Sequence, residues 1–350
     1  MPKIILTGGG TAGHCIPNIA LLPILKTHFD KIYYIGSKTG IEKNIALNNN
    51  LTYYGITTTK LKRKFTLSNL SIPFNLIKGI NEAKKLIKEI KPDVIFSKGG
   101  YVSIPIVIAG NYLKIPVISH ESDLTIGLAN KLSSKFSKLV LTSFPETARQ
   151  IKNGYYVGPP LRNELFKVNK ELAYQTFGFK NNKPILLITG GSQGAKAINN
   201  AIIDIIPQLL KSFNIIHLCG KGNLNNIKLE GYYQTEFTNK IENAFAVSAV
   251  CVTRGGSNSL FEILAMKIPS LVIPLPKQQS RGDQILNAQY FSNKEVVKLL
   301  YQENLTKETL LDSIICTYKN KDILIENMNK LSIKNSNEEI CKILIKYSKQ

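Results

Sequence analysis

The chain has 350 residues, with 45 lysines and arginines against 24 acids for a formal charge of +21, and five scattered cysteines without a Cys-x-x-Cys pair. The length exceeds one core of ordinary size and fits two domains of roughly 100–200 residues. The cysteine pattern excludes a disulfide framework or thiolate metal cluster and reads as buried thiols in a reducing cytoplasm.

The basic excess suits an anionic lipid surface, or a Lys-, Asn- and Ile-rich composition whose charges are simply solvated. Zinc-finger spacing and RNA-binding aromatic motifs are missing, so no nucleic-acid partner is expected. No apolar run reaches the roughly 18 residues of a membrane span, and the expectation is a chain neither exported nor bilayer-spanning.

Ile4-Ile-Leu6 reads as a buried parallel strand that breaks at Gly8-Gly9-Gly10 before a helix from about Ile16 to Lys26. Gly8, Gly10 and Gly13 fit the dinucleotide fingerprint, yet the next strand, Ile32–Ser37, ends without the acid such a site needs. A phosphate-binding P-loop would need Lys where His14 stands. What remains is a glycine loop presenting His14 at a helix start, where the dipole favours a neutral imidazole available as base or hydrogen-bonding group. A histidine that only caps its turn is the alternative.

Lys60-Leu-Lys-Arg-Lys-Phe65, Leu70-Ser-Ile-Pro-Phe-Asn-Leu-Ile77 and a basic amphipathic helix to about Lys91 suit an anionic membrane surface. A solvated helix face over an ordinary core contact is the bland alternative. Asp93–Ser97 and Pro116–Ser119 are further buried-strand runs, ending in Gly99-Gly100 and His120-Glu121. Ligands gather at such strand ends, which makes Glu121, Asp123 and Asn130 candidate acceptor contacts. Val157-Gly-Pro-Pro160 is a stiff connector and the expected domain boundary, with Arg162 just beyond able to meet an anionic ligand.

The second half repeats the first: Ile185-Leu-Leu-Ile-Thr-Gly-Gly-Ser-Gln-Gly-Ala195 is again strand, glycine loop and helix, here about Lys196 to Lys211. Strands follow at Ile215–Leu218, Ala249–Val252 and Ser270–Ile273, and two lysine-rich helices close the chain after Leu299. Ala249–Val252 runs into Arg254-Gly255-Gly256, with Ser257 as expected N-cap of a helix bearing Leu260, Ile263 and Leu264 on one face. Its N-terminus offers N–H groups to a phosphate, and Glu262 a carboxylate to a ribose. The fold class is therefore α/β, with doubly wound Rossmann-like domains over residues 1–158 and 159–350.

Six stretches carry a resemblance in family order: Thr7–His14, Lys98–Ser103, His120–Asp123, Val157–Arg162, Gly190–Ala195 and the run from Cys251 to Gln284. Together they resemble the bacterial undecaprenyldiphospho-muramoylpentapeptide β-N-acetylglucosaminyltransferases of glycosyltransferase family 28. The resemblance implies a GT-B architecture, two Rossmann-like domains facing a cleft, with the terminal helix packing back on the first. It implies inverting transfer of GlcNAc from UDP-GlcNAc to the 4-hydroxyl of MurNAc in a polyprenyl-diphosphate-linked MurNAc-pentapeptide, at the cytoplasmic face of the membrane, without metal or other cofactor.

By matching motif positions, His14, Glu121 and Asp123 become the catalytic candidates. Thr11, Ala12, Gly13, Arg162, Ser192, Thr238, Ser257, Asn258, Ser259, Leu260, Phe261, Glu262 and Gln284 become the UDP-GlcNAc contacts. Many relatives carry Gln-Asn at Ser122-Asp123 and Gln-Gln at Asp283-Gln284. A glycosyltransferase acting on diacylglycerol or sterol, and a non-enzymatic basic membrane- or nucleic-acid-binding protein, are the rival readings.

Overall fold

A computed structural model describes residues 2–60, 72–191 and 194–349. The chain forms two compact units, one running to Arg162 and resuming at Asn335, the other Asn163–Lys334. Gly158 to Leu161 remain with the first unit because the Val157 and Gly158 N–H groups both donate to the Thr142 carbonyl and Leu161 exchanges hydrogen bonds with Asn335.

In the first unit the strands are β1 (Lys3–Thr7), β2 (Lys31–Ser37), β3 (Thr52–Ile56), β4 (Val94–Ser97), β5 (Val117–Glu121), β6 (Leu139–Thr142) and β7 (Gly154–Tyr156). They form one parallel sheet in the order β3-β2-β1-β4-β5-β6-β7. Ile4, Ile5 and Leu6 are all fully buried, as expected of a strand covered by helices on both faces.

The second unit holds β8 (Ile185–Thr189), β9 (Asn214–Leu218), β10 (Tyr232–Thr235), β11 (Ser248–Thr253), β12 (Ser270–Val272) and β13 (Lys298–Leu299). These are again all parallel, in the order β10-β9-β8-β11-β12-β13.

Four sequence expectations are corrected. The helix expected from Ile16 to Lys26 is two helices, Ile16–Ala20 and Leu22–His28, because Pro23 lacks the N–H that would continue the first. Pro207 likewise splits the expected Lys196–Lys211 helix into Lys196–Ile203 and Ile206–Leu209. Three helices close the chain rather than two, Lys307–Lys319, Lys321–Leu331 and Asn337–Ser348. Cys316 is exposed, while the other four cysteines are buried.

The last helix belongs to the first unit. Ile340, Cys341 and Leu344 enter the same core as Leu21, Leu25 and Phe96. Full burial of Ile340 and Leu344 contributes about 1.5–3 kcal/mol each before entropy is charged. Asn337 pins the return by donating to the carbonyls of Ala20 and Leu161, at 3.0 and 2.7 Å.

Candidate active site

Both sheets reverse direction beside their first strand, the topological switch point where doubly wound folds bind ligands. In the first unit Thr7 pairs with Ser97, so the loops beginning at Gly8 and Lys98 leave neighbouring strands side by side. In the second, Thr189 pairs with Thr253, so Gly190 and Arg254 do the same. Sequence reading found these loops singly; strand order makes them two pairs.

The first glycine loop is held from within. Glu42, fully buried in the first turn of the helix Ile41–Asn48, accepts from the Ser37 N–H at 3.0 Å, from the Ser37 hydroxyl, and from the Gly10 N–H at 3.2 Å. A carboxylate thus occupies one N–H of the glycine loop, that of Gly10, which a dinucleotide phosphate would use, and this agrees with the missing fingerprint acid after Ile32–Ser37. Sequence reading missed Glu42; the available signal was an acid two residues past a glycine N-cap.

His14 closes a three-residue 3-10 turn, Ala12–His14, instead of opening a long helix. The dipole argument for its neutrality therefore loses its long helix, and the imidazole is oriented by the Thr11 hydroxyl, 3.0 Å from Nδ1. Gly100, at φ +82°, lets the second loop pass close by: a Cβ there would collide with the Gly9 carbonyl and lie 3.3 Å from His14 Nδ1. Thr11 and Gly13 are exposed and Ala12 is half-buried.

Glu121 is 5 % exposed and accepts four hydrogen bonds. Oε1 takes the N–H groups of Ser122 at 2.8 Å and Asp123 at 3.0 Å, and Oε2 takes Gly127 N and Asn130 Nδ2, both at 2.9 Å. That fills the roughly four lone-pair positions of a carboxylate, the arrangement of a loop organiser. Asp123 is half-buried in the turn so organised.

Beneath it lies a buried polar chain. Lys98 Nζ donates to Nδ1 of His120 at 2.6 Å and to the Ser122 hydroxyl, and His120 Nε2 reaches the Gly158 carbonyl at 3.4 Å. Burial pushes Lys98 down to about 7 against the opposing pull of Glu121 and Asp123. Burial, and then Lys98, hold His120 well below its usual value, so its imidazole is neutral. Both residues stand within the quoted motifs, yet sequence reading gave neither a role.

In the second unit the helix is Ser257–Ala265 and Gly256 is its N-cap, so Ser257 is the first helical residue, 3 % exposed, rather than the cap. Ser257, Asn258 and Ser259 make up the turn whose N–H groups lack intrahelical acceptors. Leu260 and Phe261 are core residues, Phe261 packed edge-on against Phe291 at 5.4 Å, so only their backbone can meet a ligand. Glu262 is half-buried one turn on.

Arg254 spans to the Ile273 and Pro274 carbonyls at 3.0 and 3.4 Å, and burial lowers it to about 10, which leaves it charged at neutral pH. Gln284 is half-buried, its carboxamide oxygen accepting from the Leu275 N–H at 3.0 Å. A Cβ on Gly255 would collide with the Gln284 carbonyl, and Asn287 donates to the Gly255 carbonyl at 3.2 Å. The glycine turn and the helix Asp283–Asn293 therefore touch, which joins the Ser257 and Gln284 segments. Thr238 is half-buried and accepts from the Lys240 N–H at 3.0 Å. Arg162 is half-buried at the end of the first unit, and Ser192 lies outside the described residues.

Two doubly wound parallel-sheet domains in one chain, each with paired loops at its switch point, are the GT-B fold class to which many glycosyltransferases belong. The chain belongs to glycosyltransferase family 28: the family's N-terminal domain model matches residues 4–142 and its C-terminal domain model residues 185–343.

Among the relatives is the UDP-N-acetylglucosamine--N-acetylmuramyl-(pentapeptide) pyrophosphoryl-undecaprenol N-acetylglucosamine transferase of Clostridium tetani, 47% identical over 350 residues and covering 99% of this chain and 98% of that one. The protein of the same name from Clostridium botulinum strain Alaska E43 is 46% identical and covers 99% of both chains. The crystal structure of Acinetobacter baumannii MurG superposes with a TM-score of 0.75 at 22% identity, covering 99% of this chain and 100% of that one. The UDP-GlcNAc 2-epimerase of Neisseria meningitidis bound to UDP-GlcNAc gives 0.66 at 14% identity, over 99% and 100%. The last two likenesses bear on the fold alone.

Proposed function

We propose that this protein transfers GlcNAc from UDP-GlcNAc to the MurNAc 4-hydroxyl of undecaprenyl-diphospho-MurNAc-pentapeptide, with inversion, in peptidoglycan precursor synthesis. The observation that carries this is the near-complete match, across both domains, to transferases named for that reaction. A diacylglycerol-type transferase would share the donor-side loops without that agreement in the first domain.

The second domain, Asn163–Lys334, binds the donor. The helix start at Ser257 to Ser259, with Ser192 and Arg162, takes the diphosphate. Glu262 takes the ribose, Thr238 borders the uracil, and Gln284 meets the sugar. Thr11, Ala12 and Gly13 contribute to UDP-GlcNAc, while the first domain, to Arg162, binds the acceptor beside His14 and Asp123. There a base removes the acceptor proton as the oxygen attacks the anomeric carbon, and UDP leaves toward the N–H groups and Arg162, so no covalent enzyme intermediate forms. His14 is the leading base and Asp123 the second, with Glu121 organising their surroundings. Charge on the leaving group is met by helix and arginine, so neither metal nor other cofactor takes part.

Radiolabel transfer from UDP-GlcNAc to a short-chain polyprenyl-diphosphate-MurNAc-pentapeptide, with EDTA present, tests the reading. No transfer would refute it. Glu262→Ala is expected to raise the UDP-GlcNAc KM by ten- to a hundredfold, corresponding to a charge-assisted hydrogen bond of roughly 1.5–3 kcal/mol. Steady-state kinetics at fixed acceptor reads this, and an unchanged KM removes Glu262 from the donor site.

The protein works as a peripheral protein on the cytoplasmic leaflet, with no nucleic-acid partner. Among the described residues no helix is long and apolar enough to span a membrane. All but Lys60 of the basic run Lys60–Phe65 lies outside the described residues, as do Leu70 and Ser71 of the stretch Leu70–Ile77, but the helix Ile72–Ile90 exposes Phe74 and Ile77 at 76 % and 59 %. Tyr112, 68 % exposed, sits under Lys84 Nζ at 3.4 Å. Exposed apolar side chains among lysines suit an anionic bilayer. Phe74→Ser with Ile77→Ser is expected to cut sedimentation with phosphatidylglycerol vesicles at least about fivefold, each lost apolar side chain being worth roughly 1.5–3 kcal/mol if fully buried. Undiminished binding would move the membrane face elsewhere.

A further inference from the structure

We propose that Lys98 is a positioning residue for the acceptor half of the reaction, a buried amine that locks the switch-point loops of the first domain to one another through His120 and Ser122. The inference rests on the reading that this domain receives the acceptor.

Lys98 stands at the meeting of four segments. Its own N–H donates to the Thr7 carbonyl at 2.8 Å, next to the first glycine loop, and the following residue's carbonyl accepts from Gly9 N at 3.3 Å. Its side chain is 2 % exposed and spends two N–H groups on His120 and Ser122, at the end of β5 and the start of the Asp123 turn. His120 passes the constraint to the Gly158 carbonyl, which also accepts the Ser336 hydroxyl at 3.0 Å and so ties in the connector.

As ammonium or as amine, Lys98 supplies both N–H groups, so His120 Nδ1 is the acceptor and its proton resides on Nε2. One side chain therefore fixes a tautomer, a hydroxyl rotor and the turn beginning at Ser122. Among the described residues Lys98 forms no ion pair; its hydrogen-bond acceptors are neutral, and the pull of the Glu121 and Asp123 charges is smaller than the opposing effect of burial, so burying the amine is costly. Methionine would fill the same space without that cost, so what lysine adds is alignment. The depressed proton affinity of Lys98 agrees with such a setting.

Lys98→Met in the full-length protein is the test, with kcat, acceptor KM, UDP affinity by calorimetry and melting temperature measured on one preparation. The expected result is a kcat at least tenfold lower and a raised acceptor KM, with UDP affinity within twofold of wild type and a melting temperature equal or higher. A residue that only supports the fold would give the opposite split. Combining Lys98→Met with His120→Gln is expected to cost no more than the worse single change, because both cut one chain. Ser122→Ala, which deletes one acceptor and little volume, is expected to give the same split at smaller size, and it decides the matter alone should Lys98→Met fail to fold. Wild-type kcat and acceptor KM in the folded variants, or multiplicative effects of the Lys98 and His120 changes, would overturn the proposal. Absence of transfer by the wild-type protein would instead overturn the functional reading beneath it.

Discussion

His14→Ala is expected to lower kcat by at least about a hundredfold while leaving the affinity for UDP within about twofold. The separation follows from where the groups lie: His14 is in the first glycine loop, and the nucleotide contacts proposed here come mainly from the second domain. Its Nδ1 is engaged by the Thr11 hydroxyl and its ring packs by Gly100, so the imidazole is aimed by its loop rather than by a helix axis. Should His14 only support the turn, removing it would cost about 1 kcal/mol of stability, on the scale of a lost cap, and kcat at low temperature would stay near normal. Single-turnover rates, UDP calorimetry and melting curves on one preparation separate the outcomes. A stable variant with normal turnover would shift the proton acceptor to Asp123.

Glu121→Gln is expected to reduce stability by about 2–4 kcal/mol, a larger effect than an isosteric change at a solvent-facing base would produce. The carboxylate accepts from four donors, and an amide nitrogen in place of either oxygen faces two of them. Asn130 has some freedom to respond, since its Oδ1 is buried without a partner and can rotate toward the new amide. That rotation forfeits its bond to the His120 carbonyl and leaves the Gly127 N–H unmet. Denaturant titration of wild type and variant reads the cost directly. If Glu121 were the base, the variant would keep its midpoint and lose only kcat.

Several features of the fold and site were legible in contiguous residues. Apolar runs such as Ile4–Leu6 and Ile185–Ile188 announce parallel strands because both of their faces are covered, and glycines after them announce turns that close approach requires. Helix ends were legible less well: the splits at Pro23 and Pro207 were readable from proline chemistry, whereas the cap at Gly256 rather than Ser257 was decided by a one-residue shift of the chain. The motif order gave the reaction class before any contact was known.

By itself, then, the sequence determined the strand and helix alphabet, two repeated β-loop-α beginnings and the residues that populate the switch-point loops, since each is encoded over a few neighbouring positions. Tertiary structure decided which of those residues act together. Glu42 meets Gly10 across 32 positions, Lys98 meets His120 across 22, and Asn337 returns to Ala20 across 317. No local pattern fixes such pairings, because they depend on strand order bringing distant loops to one sheet end and on burial requiring each polar group to find its partners within the protein.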